Sequence, residues 1–401
     1  MSSFVWIDHS EKQRRQVLDA VDQFREKDTR DELGIASIRD AISDTFFPGT
    51  GALQTRARYF FFIPWMFRQL EAKRSSTDLL RRVGDFEVRL IDTLADSEGK
   101  NGTIGINARK ALQRFPSSIY WNGMRVLGIL TAPGSLGQYY RAVSRNAAGA
   151  SELVDDDGER VNKAGSRWHP RIPPTPPTFP AEARFGLTVP EAQFLKDQIV
   201  ARYPTSLFTF FLGSDLGDDR YEFAWDHPAM ETAPADLRRQ VELARMFSEV
   251  MNGAAIMYNL AVAELEPTRR QIVEECSVLL QEWRETLDTR QDALATCETP
   301  EFWKFIHECG WVGPGTTVDF VDEWFSIALR PERRKALSDD VRARELIFDR
   351  ERRMKTALAR CENRSVREMW KGDAGLGRLA YRWPNAEVLL HDIIQGLKRD
   401  A

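Results

Sequence analysis

Seven basic side chains, Lys100, Arg109, Lys110, Arg114, Arg125, Arg141 and Arg145, fall between Gly99 and Ala148, a stretch without a single aspartate or glutamate. Cations with no carboxylate nearby are suited to pairing with phosphates, and the aromatic residues of "SSIYW" and "GQYYR" could stack bases beside them. Extended back to Gly51, the segment carries 15 basic and 7 acidic residues, net +8, in a chain of net charge −4, so the remainder sums to −12. The chain is polarised. With Arg56 and Arg58, these cations are the nine candidate nucleic-acid-binding residues. The ordinary alternative is that they meet carboxylates of the other half or are simply solvated.

Other constellations point to specific chemistry less directly. Glu71 and Lys73 form an E-x-K, as do Glu98 and Lys100, with Asp92 and Asp96 upstream of the second pair. Metal-dependent nucleases need such groups on adjoining strands, whereas these fall on predicted helices or a loop. Cys297, His307 and Cys309 lie within thirteen residues but lack a compact C-x2-C pair, so no metal is expected. The glycine-containing "PGTGALQT" and "GKNGTIG" lack the order of a phosphate-binding loop, and no cofactor is expected. His9, His169, His227 and His391 are isolated, with no visible serine or cysteine nucleophile as partner.

A second basic run, Val341 to Arg382, holds 12 basic and 6 acidic residues. Around its centre at Arg350, Arg352, Arg353 and Lys355, the interleaved Glu345, Asp349 and Glu351 predict a solvated helix laced with ion pairs. "DTRDELGIASIRDAISDTFF" has helix-turn-helix spacing around Gly34, but the second helix would present Asp40 and Asp44 beside one arginine, unsuited to reading bases.

The elements behind these residues read as helical. Periodic apolar positions predict helices over Ser10–Lys27, Gly34–Phe47, Thr50–Lys73, Thr77–Asp96, Ile104–Phe115 and Ile119–Leu130. In the fifth, Ala108, Ala111, Leu112 and Phe115 would form a buried stripe, leaving Arg109, Lys110 and Arg114 on an exposed basic face. The aromatic run Tyr59–Phe67 is too short to span a bilayer and is followed at once by Arg68, Glu71, Lys73 and Arg74. A core helix kinked at Pro64 is expected there, with Phe60, Phe61, Ile63 and Phe67 inside.

Beyond residue 180, two long patterns, Leu237 to Tyr258 and Ile272 to Leu294, predict an antiparallel helical hairpin turning at "ELEPTRR". Helices near Val318–Leu329, Asp339–Cys361 and after Pro384 complete a mainly α outline. Between Gly149 and Pro180 an acidic, glycine-containing piece leads to five prolines within Pro173–Pro180. Polyproline II is favoured there, read as a linker or surface excursion, with a PxxP ligand for a partner domain as the alternative. The expected division is a basic helical domain 1–148, a Pro-rich connection 149–180, and a helical domain 181–401.

Composition supports an ordinary globular chain: 42% hydrophobic and 29% charged residues leave no expectation of overall disorder. With no basic leader followed by a long apolar region and no membrane-spanning window, a soluble, cytoplasmic protein is expected. Four cysteines without short paired spacing suit reduced thiols there.

The pieces "FVWIDHSEKQRR", "DTRDELGIASIRDAISDTFFPGT", "QTRARYFFFIPW" and "PSSIYWNG", within Phe4–Gly123, resemble an uncharacterised bacterial family of about this length. Its members are encoded near helicases and phospholipase-D-like nucleases in defence islands. The resemblance implies an anti-phage role and carries over no catalytic residue. The expected function is a non-catalytic component that contacts DNA or RNA through the basic N-terminal half and a helicase or nuclease partner through the acidic half. The alternatives are a nuclease or other effector enzyme whose carboxylates meet only in the fold, and a pure scaffold.

Overall fold

The structure, a computed structural model, describes residues 31–72, 79–148 and 167–399. Among these residues the fold is mainly α, as expected: sixteen α-helices form and no strand, only one isolated antiparallel bridge between Leu130 and Trp168. Along the chain run α1 (Ala36–Phe46), α2 (Tyr59–Ala72), α3 (Leu79–Glu98), α4 (Pro116–Val126), α5 (Leu136–Ala148), α6 (Val189–Arg202) and α7 (Leu207–Leu212). The 30-residue α8 (Ala235–Glu264) follows, then α9 (Arg270–Thr289), α10 (Gln291–Ala295), α11 (Thr299–Glu308) and α12 (Gly315–Ala328). Last come α13 (Pro331–Lys335), α14 (Val341–Lys355), α15 (Arg364–Glu368) and α16 (Trp383–Lys398). The helix expected over Ser10–Lys27 lies outside the described residues.

Contacts gather the chain into two units, each assembled from separate stretches. Among the described residues, a hairpin unit joins 31–42 with 239–379, and an aromatic unit joins those of 43–238 with the C-terminal stretch 380–399. This division falls elsewhere than at the 149–180 segment. Residues 167–180, the part of that segment the structure describes, lie within the aromatic unit, where Trp168, Ile172 and Phe179 are buried.

The aromatic unit is built around α2. Every residue from Tyr59 to Phe67 is buried, so this helix is apolar all round, the signature of a central core helix. Phe62 stacks on Phe179 at 5.6 Å, and Phe67 stacks on Trp168 at 5.7 Å. The helix starts at Tyr59, later than the expected Thr50. The preceding backbone donors already have tertiary acceptors: the Thr55 and Arg56 N–H groups donate to the Tyr120 hydroxyl (2.9 and 3.0 Å), and the Ala57 N–H donates to Asp392 (2.8 Å). Helical geometry at 50–57 would forfeit these bonds. On another side α16 packs against α6 so closely that a Cβ on Gly396 would sit 2.8 Å from that of Ala192.

In the hairpin unit α8 and α9 run antiparallel, as the apolar spacing predicts. Trp283 Nε1 donates to the Glu249 carbonyl (2.8 Å), and one turn and more away Arg290 pairs with both Glu242 and Glu249. Gly253 makes room for the indole: a Cβ there would lie 2.2 Å from Trp283. Pro267 opens a short 3-10 turn that leads into α9. All four cysteines are free thiols.

The solvated helix expected around Arg350 is only partly found. Arg352 does pair with Asp349 and Glu362 on the outside of α14. Arg350, Glu351 and Lys355 are instead buried, on the same side as Ala343 and Ile347. Arg350 donates to the carbonyls of Leu33, Gly34 and Thr316 and to the Thr317 hydroxyl, which satisfies a buried cation without a carboxylate. Glu32 accepts from Lys355 and from Arg360 (2.7 Å), and Glu351 accepts from the Tyr258 hydroxyl (2.6 Å) and the Arg360 N–H (2.9 Å).

Candidate nucleic-acid interface

The acid-free segment folds as a loop, residues 99–115, followed by α4 and α5. The amphipathic helix expected over Ile104–Phe115 does not form; only the 3-10 turn Arg109–Ala111 is helical. Gly99, Gly102 and Gly105 all have positive φ, and Arg109 joins them at 47°, so the chain turns repeatedly where a helix would need uniform right-handed dihedrals. The proposed stripe is not buried either. Ala108 and Ala111 are exposed, and Leu112 and Phe115 are only half-buried. The alanine spacing resembled a helix face, but the glycine spacing decided the conformation.

Anchors hold the loop in place. The Thr55 hydroxyl donates to the Gly102 carbonyl (2.7 Å), and the Ile104 N–H donates to the Tyr59 hydroxyl (3.1 Å). Arg109 meets Asp92 of α3 at 3.3 Å.

The nine candidate cations separate into distinct fates. Arg56 forks onto both Asp392 oxygens (2.7 to 3.1 Å) and lies over Phe185, with burial opposing and the carboxylate favouring its charge. Arg58 pairs with the buried Glu191 (2.9 Å) and donates to the Arg184 carbonyl. These two arginines tie the entrance of α2 to α16 and α6, and phosphate contact would require breaking those ties. Arg109 is held by Asp92. Arg141 lies exposed on α5, and the Arg145 side chain is outside the described residues. Lys100, Lys110 and Arg114 on the loop and Arg125 near the end of α4 are exposed, and none forms an ion pair among the described residues. Arg125 bonds only the neutral Asn122 side chain (2.9 Å).

Carboxylates reach this segment from outside but settle on particular partners. Asp92 takes Arg109, Glu71 takes the Tyr139 hydroxyl, and Glu87 takes the Ser117 N–H (2.7 Å) and hydroxyl (3.1 Å). The four exposed cations therefore keep their positive field. The field at the surface comes from the fixed loop and from Arg125 of α4, not from the helix expected over Ile104–Phe115.

Glu87 also bears on a catalytic reading. It is 2% exposed, and burial pushes its carboxyl up to about 7 against the opposing bonds from Ser117. A carboxyl in that range beside a serine has the chemistry of a general base. Its position argues otherwise: Ser117 is as deeply buried, and Phe115, at the start of α4, has no side-chain oxygen to cap the helix. Glu87 supplies that cap from α3 and is closed to substrate.

The remaining chemical candidates are dispersed. Glu71 is bound to Tyr139, Glu98 accepts from the Phe185 N–H (2.8 Å), and Lys73 lies outside the described residues. Among the described residues no three His, Cys, Asp or Glu side chains converge so that they could hold a metal ion. Burial raises the thiols of Cys276, to about 11, and of Cys361, to about 12, the opposite of nucleophile activation. For the helix-turn-helix pattern, α1 forms, with the Asp31 carboxylate accepting from the Ile35 and Ala36 N–H groups (2.9 and 3.0 Å). The preceding helix of that pattern falls largely outside the described residues. Among the described residues no helix is long and apolar enough to cross a membrane.

A family of proteins of unknown function matches residues 1–396. The chain belongs to that family, DUF6361. The match covers far more than the four N-terminal pieces that carried the resemblance, and it takes in both units up to residue 396. No curated protein and no solved structure matches the chain at a significant level.

Proposed function

We propose that the protein is a non-catalytic component that contacts nucleic acid through the segment Gly99–Ala148, in the setting of the anti-phage defence complex that the sequence resemblance implies. One observation supports the nucleic-acid reading: Lys100, Lys110, Arg114 and Arg125 stay exposed on an anchored, acid-free stretch and form no ion pair among the described residues. Such cations bind phosphates with little regard for sequence, since backbone contacts position a protein without reading bases. Arg56 and Arg58 drop out of the interface because internal carboxylates hold them.

Binding that releases counterions weakens as salt rises, with a slope of about 0.9 per phosphate contact on duplex DNA. A Lys100→Ala, Lys110→Ala, Arg114→Ala variant should bind duplex DNA less tightly than the unmodified chain. If all three residues make contacts, its log–log salt slope should be shallower by about 2.7. Titrations monitored by fluorescence anisotropy at several salt concentrations measure both quantities. Superimposable titrations of a variant that remains folded would refute the assignment.

A further inference from the structure

We propose that the nucleic-acid interface extends beyond Gly99–Ala148 to Arg171 and Arg202, which with Arg125 form a second phosphate-binding cluster, and that the ligand is double-stranded. The inference rests on the nucleic-acid reading and deepens it. From Arg160 to Ala181 the chain has a second acid-free stretch, with Arg160, Lys163, Arg167 and Arg171 and no aspartate or glutamate. The fold lays the described part of this stretch beside the first. Leu130 and Trp168 form the isolated antiparallel bridge, the His169 N–H donates to the Ile129 carbonyl (2.8 Å), and the Thr131 N–H donates to the Arg167 carbonyl (2.9 Å). Two segments without carboxylates of their own are thus joined edge to edge.

This junction gathers cations at the end of α4. Gly128 follows that helix with φ at 68°, and its N–H donates to the Arg125 carbonyl (3.1 Å). The Arg202 guanidinium, from the last turn of α6, lies against Gly128, where a Cβ would be 2.0 Å from Arg202 Nη2. Positive φ and close approach both call for glycine here. Tyr203 fixes the end of α6 by donating its hydroxyl to the Val126 carbonyl (3.2 Å), and the Arg171 N–H donates to His169 Nδ1 (3.2 Å). The His169 imidazole is held below its usual range first by burial and then by Arg171 and Arg202, in keeping with both guanidinium groups lying near this one ring.

Arg125, Arg171 and Arg202 are exposed, and none forms an ion pair among the described residues. The acid nearest to Arg202 in sequence, Asp197, accepts from the Gln193 amide (2.7 Å). Arg68 adds a half-buried cation, donating to the His169 carbonyl (3.3 Å). A surface of one sign without internal counter-ions attracts phosphate. The form of the ligand follows from the aromatic residues: Tyr120, Trp121 and Tyr139, which could have stacked unpaired bases, are buried. Single-strand sites combine a basic groove with stacking platforms, whereas cations alone engage only phosphates. A duplex presents these at one charge per about 1.7 Å of axis, which makes it the better ligand.

The test titrates the full chain with duplex DNA and with one of its strands, by fluorescence anisotropy at several salt concentrations. The duplex should bind more tightly. Arg171→Ala combined with Arg202→Ala should weaken duplex binding and make the log–log salt slope shallower by about 1.8, two contacts at about 0.9 each. Arg171→Ala alone should account for about 0.9, and it decides the matter if circular dichroism shows that removing Arg202 from Gly128 disturbs folding. Arg171→Lys with Arg202→Lys keeps both charges and should keep the slope. The Lys100→Ala, Lys110→Ala, Arg114→Ala variant separates this cluster from the loop. If that variant binds less tightly while the arginine-to-alanine variants titrate like the unmodified chain, the cluster is refuted and the nucleic-acid reading stands. No binding of DNA by the unmodified chain would overturn both, and a single strand that binds as tightly as the duplex would overturn the duplex assignment.

Discussion

Replacing Glu87 by glutamine should make the aromatic unit more stable, increasingly so as pH rises. The carboxyl titrates near 4.5 when free and is pushed up to about 7 in the fold, chiefly by burial. Between these values the folded protein keeps a proton that the unfolded chain has released, so wild-type stability falls as pH increases through the window. Full ionisation above pH 7 corresponds to about 3 kcal/mol of lost stability, at roughly 1.4 kcal/mol for each pH unit between the two values. Glutamine keeps an acceptor for the Ser117 N–H, and its amide can donate to the Ser117 hydroxyl, which in the wild type donates to Glu87 Oε2. The α4 cap therefore survives without the charge. Because a chain of two units need not unfold in one step, the readout should be local: denaturant-dependent hydrogen exchange of peptides from α3 and α4. The advantage of Glu87→Gln should be small at pH 4.5, grow through pH 7 and then level off. An advantage constant with pH, or greatest at the acid end, would refute the reasoning.

Other perturbations probe the two cores. Phe61→Ala empties a fully buried site beside Trp65 and Phe194 and should cost about 3 to 5 kcal/mol, visible as a lower melting temperature; normal melting would mean the aromatic run is not core. Glu32→Gln removes the negative charge shared by the buried Lys355 and Arg360 and should cost about 3 to 5 kcal/mol, read as faster exchange in residues 31–42; unchanged exchange would refute the linkage. Arg352→Ala, whose pairs with Asp349 and Glu362 are exposed, should cost less than about 1 kcal/mol in the same assay.

Element type was legible wherever apolar periodicity was long, and element limits wherever chain chemistry was strong. The α8–α9 hairpin, the turn at Pro267 and the burial of Phe60, Phe61, Ile63 and Phe67 all follow from spacing alone. Residues 104–115 did not, because a four-residue apolar spacing is weak beside three left-handed glycines, whose conformations become visible only in the fold. The start of α2 was displaced for a different reason: its backbone donors pair with Tyr120 and Asp392, about 65 and 335 positions away in sequence. No local pattern announces partners at that distance. The buried charges on α14 offered a faint signal, since Ala343, Ile347, Arg350 or Glu351, and Lys355 follow a helical stripe in which ionic residues replace apolar ones.

For the candidate site, counting charges proved a poor guide to where positive field is available, and the reason is specific. Arginine's planar donors suit it to bridging elements, and this chain uses Arg56, Arg58 and Arg109 in that way, each fixed to a carboxylate on another helix. Such a residue adds to the net charge of +8 but contributes little to the field outside the protein, because its partner cancels it within a few ångströms. What distinguishes Gly99–Ala148 is that it contains no acids with which to form such pairs locally. Only carboxylates from other elements can neutralise it, and of those described above Asp92 takes Arg109, while Glu71 and Glu87 bind neutral hydroxyl and amide groups. The absence of acids in the sequence therefore carried more information about the surface than the number of bases, and Lys100, Lys110, Arg114 and Arg125 are the residues on which that absence bears.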